Sequence, residues 1–165
     1  MPTFIDPKLL AFQGCHLKGR VALAQMSRMA DRLSDFKGDV EIDWLFALDE
    51  KQRATIQGSV QAQLSLQCQR CLQPMPMAID AKVVLMILKE GQTEDELPEG
   101  YEALTLTKTP VSLITLIEDE LILALPIVAK HTVCPSNEFE MSESELENNH
   151  LQNNPFHVLS SLKSK

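Results

Sequence analysis

The sequence predicts an α+β protein in which an antiparallel sheet packs on one core helix. Three features predict it: alternating apolar and polar residues from 39 to 88, a mostly apolar helical segment at 112–125, and short turns between the alternating runs. A period of two is typical of strands with one buried face, and short connections make neighbouring strands antiparallel. We expect a meander or a partly open barrel, with an N-terminal helix and a flexible C-terminal tail.

The first predicted strand spans residues 39–49, where every even position from 40 to 48 is apolar. The second covers 56–66, and Gly58 interrupts its buried face, which can mark a β-bulge. The third, 75–88, becomes apolar on both faces from Val83 onward, as in a strand covered on both sides. The residues expected on the buried face are Val40, Ile42, Trp44, Phe46, Ile56, Val60, Leu64 and Leu66.

Helices are expected on both sides of these strands along the chain. Residues 20–35 show apolar side chains at helical spacing, and residues 112–125 are apolar almost all round, as in a buried helix. Ser112 is a candidate N-cap of the second helix, and Pro126 ends it. Residues 101–107 predict a short extra strand. The stripe of the first helix consists of Leu23, Met26, Ala30 and Leu33.

The domain organisation follows from these elements. One domain is expected at 1–134, divided into an N-terminal helical segment at 1–37 and the sheet with its core helix at 38–134. Residues 135–165 are expected to form an acidic linker and a C-terminal peptide, because apolar residues are scarce between 135 and 154.

The C-terminal peptide has its own pattern. Phe156, Leu159 and Leu162 lie at spacings of three and are followed by Lys163. Apolar anchors at this spacing are typical of a short helix that docks into a groove of a partner. The alternative is a terminal segment that folds back on its own core.

Composition and charge restrict the class of function. No stretch reaches the eighteen or so apolar residues of a membrane span, and the first residues lack a secretory signal, so we expect a cytoplasmic protein. The net charge is -8, yet residues 1–37 carry +3 and residues 90–147 carry -12. Because phosphate binding needs a positive field, any RNA contact should be local and lie at the basic ends. The acidic stretch favours a basic protein partner or simply solubility.

Cys68 and Cys71 are separated by two residues, between the second and third predicted strands. Such spacing lets two sulfur atoms face one ion from a tight turn, and His131 with Cys134 supplies a second pair after the core helix. Together these residues would complete a Cys3His zinc site that fastens the helix exit to the hairpin. Unmetallated thiols and thiol-redox chemistry are the alternatives.

Redox and hydrolytic functions have less support. A thioredoxin-like CxxC begins a helix, whose dipole lowers the thiol pKa, whereas this CxxC lies between strands.

Residues 118–120 are three consecutive acids that point about 100° apart on a helix and cannot converge on one ion. Glu120 shares a face with apolar residues and is expected to be partly buried. No catalytic residue is predicted. A binding protein is favoured over a hydrolase, which would need a converging acid/base or metal cluster.

Three segments resemble the YceD-like family of large ribosomal RNA subunit accumulation proteins. They are Leu64–Cys71 with the CxxC, Ile117–Pro126 in the core helix, and Asn154–Lys163 in the tail. The resemblance implies a role in synthesis, processing or stability of the large-subunit rRNA and no known catalytic activity. The alternatives are a hydrolase that acts directly on precursor rRNA and a thiol-redox protein that uses the CxxC. It implies the precursor large ribosomal subunit as partner, through rRNA, a ribosomal protein or a processing protein.

Two consequences for the site follow. Many members of the family carry a second cysteine pair after the helix, whereas this chain has only Cys134, with His131 as the substitute. The expected partner-binding residues are Arg70, as a phosphate contact or simply a surface residue, together with Phe156, Leu159, Leu162 and Lys163.

Overall fold

A computed structural model describes residues 1–88, 92, 97–106 and 108–135. The described fold belongs to a unit formed by Met1–His131, and a second unit begins at Thr132. The elements are β1 (Phe4–Ile5), α1 (Pro7–Gln13), β2 (His16–Ala22), β3 (Asp39–Leu48), β4 (Ala54–Gln67), β5 (Pro74–Ile87), β6 (Glu102–Leu104), β7 (Val111–Ser112) and α2 (Leu113–Ala124), with two short 3-10 turns at Leu23–Gln25 and Ser27–Met29.

The predicted α+β class is confirmed. Five strands form a sheet in the order β2-β3-β4-β5-β6, and β1 pairs with β7 in a separate two-stranded sheet. The meander β3-β4-β5 is antiparallel throughout, β2 adds an antiparallel edge, and β6 pairs in parallel with β5. The sheet is not closed, and β3, β4 and β5 follow one another in it as a meander.

The inner face of the sheet is the hydrophobic core. All eight residues expected there, from Val40 to Leu66, are at most 3% exposed. The outer face is polar, and one row across it consists of Lys18, Asp43, Ser59 and Lys82. This separation of apolar and polar faces is the direct result of the period of two in the sequence.

Two helices cover the inner face. Helix α2 begins where predicted, since the Ser112 hydroxyl accepts a 3.3 Å hydrogen bond from the Thr115 amide, and Pro126 follows its end. Helix α2 contacts β4 and β5, whereas α1 contacts β3 and β4. The sheet therefore packs against two helices, and not against α2 alone. No helix in the described part of the chain combines the length and apolar content that a membrane crossing requires.

The predicted helix at 20–35 is wrong. Arg20 and its neighbours belong to β2, which pairs with β3 over its whole length, and 3-10 turns follow. The buried side chains are Leu23, Met26 and Met29, whereas Ala30 is exposed. Their spacing of three matches the three residues per turn of a 3-10 helix, which a short sequence pattern does not separate from α-helical spacing.

Gly58 does not form a bulge. The register of β3 and β4 continues through the pair Trp44 and Gly58 without an inserted residue. The backbone of β3 lies so close that a Cβ on Gly58 would be 1.8 Å from the carbonyl oxygen of Asp43, and the φ of Gly58 is 154°. Glycine is therefore required here for close approach of two backbones.

Replacing Gly58 with alanine should lower the free energy of unfolding by about 3 kcal/mol, because the methyl group meets backbone that cannot move aside and the φ is strained for an L-residue. Urea denaturation followed by circular dichroism measures the loss. Gly100 is the matched control: it also has positive φ, 85°, but a Cβ added there would meet no atom within 4 Å. Equal losses at both positions would mean that strain, and not the contact with β3, makes Gly58 necessary.

Candidate metal centre

The cysteine pair lies in the turn that joins β4 to β5. The amide of Cys68 donates to the carbonyl of Gln73 at 3.0 Å, and the amide of Leu72 donates back to the carbonyl of Cys68 at 2.9 Å. Leu72 has a φ of 59°, in the left-handed region, which lets the chain reverse directly after Cys71. Both sulfur atoms are thus held on one side of a tight turn, as the two-residue spacing predicts.

The segment after α2 returns to this turn. The amide of Gln69 donates to the carbonyl of Ala129 at 2.8 Å, and the Arg70 guanidinium donates to the carbonyl of His131 at 3.3 Å. His131 then approaches both cysteines: its amide donates to Sγ of Cys68 at 3.4 Å, and its Nδ1 lies 3.4 Å from Sγ of Cys71. Hydrogen bonds therefore place His131 beside the cysteine pair.

The four residues expected from the sequence form a cluster. The sulfur atoms of Cys68, Cys71 and Cys134 and a ring nitrogen of His131 lie within 4.8 Å of one another. All three cysteines are buried, and His131 is half-buried. Converging thiols and an imidazole are the ligands that zinc prefers, so this cluster could hold a metal ion.

The surroundings of Cys68 favour the thiolate form of its side chain. Burial opposes the thiolate, but the amide N–H groups of Cys71, His131 and Arg70 donate to its sulfur, and together they lower the pKa of Cys68 to about 5. The thiolate is the form that binds a metal, and it is also the nucleophilic form. Cys68 lies in a hairpin turn and not at the N-terminus of either described helix, so it does not match the helix-start position of thioredoxin-like redox sites.

Comparison with known proteins identifies the family. The family model described as "Large ribosomal RNA subunit accumulation protein YceD" matches residues 56–163. A protein of that name from Haemophilus influenzae is 31% identical over 172 aligned positions, which cover 100% of this chain and 97% of the relative. The chain belongs to the YceD family. No solved structure matches.

Membership confirms the resemblance that the three sequence segments indicated. The family is named for accumulation of large-subunit rRNA and not for a catalytic activity. The match begins in β4 and therefore includes the cysteine turn, α2 and the tail. The elements outside the match are β1, α1, β2 and β3. Of these, β2 and β3 complete the five-stranded sheet.

The remaining predicted site residues are placed only in part. Arg70 lies at the tip of the cysteine turn, is exposed, and bonds to the carbonyl of His131. Phe156, Leu159, Leu162 and Lys163 lie outside the described residues. The structure therefore brings Arg70 together with the metal cluster and gives no position for the tail peptide.

One carboxylate that the sequence pattern does not single out is important for the architecture around the site. Glu118 is 3% exposed and accepts hydrogen bonds from the amides of Arg28 at 2.6 Å and Met29 at 3.2 Å. Next to it, Asp119 forms an ion pair with the Arg28 guanidinium. Both acids bind the 3-10 turn to α2. The sequence signal is weak, because the run of three acids resembles a solvated helix face.

Glu120, expected to be partly buried, is half-buried. Burial raises its pKa to about 7, and the carboxylates of Glu102 and Asp119 contribute in the same direction. The three consecutive acids therefore have three different surroundings: Glu118 binds backbone amides, Asp119 binds an arginine, and Glu120 faces other acids. They do not converge on one ion.

Proposed function

We propose that this YceD-family protein is a non-enzymatic binding factor that acts in the cytoplasm on the precursor large ribosomal subunit and supports synthesis, processing or stability of its rRNA. The observation that carries the proposal is the whole-chain similarity to a protein named for large-subunit rRNA accumulation. The chemistry agrees: among the described residues, the cluster of converging metal-binding groups consists of thiols and one imidazole, a donor set typical of structural zinc.

We infer that Cys68, Cys71, His131 and Cys134 bind one structural zinc ion. A tetrahedral zinc with ordinary bond lengths would separate a sulfur and a nitrogen ligand by about 3.6 Å, and the observed separation between Cys71 and His131 is 3.4 Å. The amide of His131 that donates to Cys68 is typical of the hydrogen bonds that hold metal ligands in orientation. The ion would fasten the β4–β5 turn to the chain that leaves α2.

The proposed partner contacts lie in two places. Arg70 at the metal-fastened tip would bind a phosphate group of the rRNA. Phe156, Leu159 and Leu162 would form a docking peptide, with Lys163 contributing mainly to the association rate, because exposed charges are strongly screened. The domain at 1–134 and the peptide would thus bind two components of one particle and raise the effective concentration of the second contact.

Co-sedimentation tests the function. Tagged full-length protein should migrate with precursor large subunits in a sucrose gradient, and cells that lack the protein should contain less large-subunit rRNA relative to small-subunit rRNA. Complementation with the wild-type chain should restore the ratio. Absence of the protein from precursor particles, with an unchanged rRNA ratio in the depleted cells, would refute the proposal.

Deletion of residues 154–165 should leave the melting temperature nearly unchanged, within about 2 °C, and weaken association with precursor particles by about tenfold or more. The reason is that a tethered peptide adds a second contact without adding to the core. A matched control replaces Ser160 and Ser161 by alanine, which keeps length and apolar anchors. A clearly destabilised truncation, or one that associates as well as the full chain, would contradict the docking peptide.

A further inference from the structure

A groove lies beside the cysteine turn, within the unit Met1–His131. Its volume is about 590 Å³. One wall is the turn that carries Arg28, Asp31 and Arg32, and the other is the segment 125–129 after α2; the end of β4 forms the floor. We call it the arginine groove. Gln69, which precedes Arg70 in the cysteine turn, closes the end of the groove nearest the metal cluster.

Both walls are fixed to the core. The buried carboxylate of Glu118 accepts hydrogen bonds from the amides of Arg28 and Met29 in the first wall. The amide of Ser34 donates to the carbonyl of Ser65 at 2.7 Å, which ties the end of that wall to β4. The opposite wall is tied by the 2.8 Å bond from Gln69 to Ala129. A buried carboxylate is costly unless it is well bonded, so this attachment is a strong constraint on where the arginines lie.

The charges of the groove favour an anionic ligand. Asp119 neutralises Arg28, and Asp31 is the acid on the groove wall. Arg32 is an exposed residue of one wall. Arg70, the residue after Gln69, is exposed beside the groove, where its guanidinium donates to the carbonyl of His131. Arg28, Arg32 and Arg70 together exceed Asp31 and Asp119 by one positive charge. In a chain with a net charge of -8, this is a locally positive site, as the charge distribution predicted for an RNA contact.

The other lining groups suit bases. Ile127 is 99% exposed and Val128 is 56% exposed, so two aliphatic side chains project from the wall without cover by the described residues. Gln67 and Gln69 are exposed on the floor and at the end of the groove. Their Nε2 groups donate to the carbonyls of Leu72 and Gln67, so their Oε1 atoms are the groups that could accept hydrogen bonds from base edges. Arginine guanidinium planes also stack on unpaired bases, which duplexed RNA does not offer.

We propose that the arginine groove binds a single-stranded stretch of RNA, with Arg32 and Arg70 on phosphates and Ile127 and Val128 against the bases. This inference rests on the proposed function and specifies its RNA-contacting surface. A protein segment is the competing occupant, since exposed aliphatic residues beside arginines also suit a protein contact. The glutamine amides, Arg32 in the groove wall and Arg70 beside the groove favour RNA.

Binding of a fluorescein-labelled single-stranded oligouridylate to the full-length, metal-loaded protein tests the groove. Arg32→Glu should weaken binding by about tenfold and reduce the slope of log K against log salt by about 0.7, the value for one lost phosphate contact on a single strand. Lys82→Glu is the matched control, because it makes the same charge change at an exposed position on the outer sheet face, in register with Ser59, and it should change binding by less than about twofold. Ile127→Ser should weaken binding without changing the salt slope.

A photo-crosslinking residue at position 127 in precursor particles identifies the occupant. Crosslinks to large-subunit rRNA are expected. Crosslinks to protein alone, equal oligouridylate binding by the Arg32→Glu and Lys82→Glu variants, or no oligouridylate binding by the wild-type chain would each overturn the groove assignment. The proposed function would survive those results if the chain still co-sediments with precursor particles, so the two proposals fail separately.

Discussion

Replacement of Trp44 by alanine should lower the free energy of unfolding by about 3–5 kcal/mol, the usual cost of emptying a large aromatic site in a core. Trp44 is 0% exposed, lies opposite Gly58 in the register, and packs edge to face on Phe46 with 6.4 Å between ring centroids. The missing Cβ of Gly58 leaves the neighbouring backbone in direct contact with β3, so the site has little means of collapsing around the cavity.

Urea denaturation followed by far-ultraviolet circular dichroism measures this loss, and Trp44, as the single tryptophan of the chain, reports the same transition by fluorescence in the wild type. Leu45→Ala is the matched control, because Leu45 is the next residue on the opposite, polar face and is 44% exposed. It should cost less than about 1 kcal/mol. Similar midpoints for the two variants would show that the apolar face of β3 is not the centre of the core.

Trp44→Phe separates ring packing from the indole N–H. The indole nitrogen has no hydrogen-bond partner among the described residues, and a buried donor without a partner costs about 1–3 kcal/mol. Phenylalanine keeps an aromatic ring against Phe46 and removes that donor. The loss should therefore stay below about 2 kcal/mol, clearly less than the loss for alanine.

The central sheet could be predicted because its physics is local in the sequence. From β3 to β5, successive side chains face the core and solvent in turn. Apolar and polar residues therefore alternate along the sequence, and the buried positions can be predicted without knowing the partner strand. Helix α2 was equally readable, since Ser112 and Pro126 are cap and stop signals at its two ends. At the end of β5 the strand is buried on both faces, and the sequence shows this as a continuous apolar run from Val83 onward.

The N-terminal region could not be predicted in the same way. Strand β2 is a polar edge strand whose place depends on pairing with β3, and its sequence contains Gly19 and little alternation. Helix α1 has clear caps, Asp6 before Pro7 and Gly14 in the left-handed conformation, but its seven residues are too few to show a period. The pattern at 23–33 predicts an α-helix wrongly because spacings of three fit both helix types.

In the candidate site, too, the features that depend on nearby residues could be predicted, and those that depend on distant contacts could not. Two-residue spacings pointed to the four metal-binding residues, since such spacing restricts geometry without reference to the rest of the fold. The role of Glu118 depends on a contact with residues 28 and 29, about ninety positions away in sequence. The groove beside Arg32 likewise arises only when the N-terminal turn, the end of β4 and the chain after α2 meet.

Substitution of Cys68 by serine should abolish zinc binding. Protein purified without chelators should contain about one zinc per chain, whereas Cys68→Ser should retain less than about a tenth of that, because a serine hydroxyl stays protonated and cannot replace a thiolate ligand. The matched control is Cys15→Ser. Cys15 lies outside the cluster, so this variant removes one cysteine and should keep its zinc.

Zinc loss should also destabilise the fold, because an ion that binds only the native chain stabilises it by about 4 kcal/mol at a thousand times its dissociation constant. Elemental analysis gives the metal content, and thermal melts with and without chelator give the stability. The chelator should lower the melting temperature of the wild type and of Cys15→Ser but not that of Cys68→Ser. The hairpin tip should loosen most, since Gln69 and Arg70 are tied to residues 129 and 131 by hydrogen bonds that the ion would reinforce. Wild-type protein without metal, or equal zinc loss in both cysteine variants, would exclude a structural zinc at this cluster.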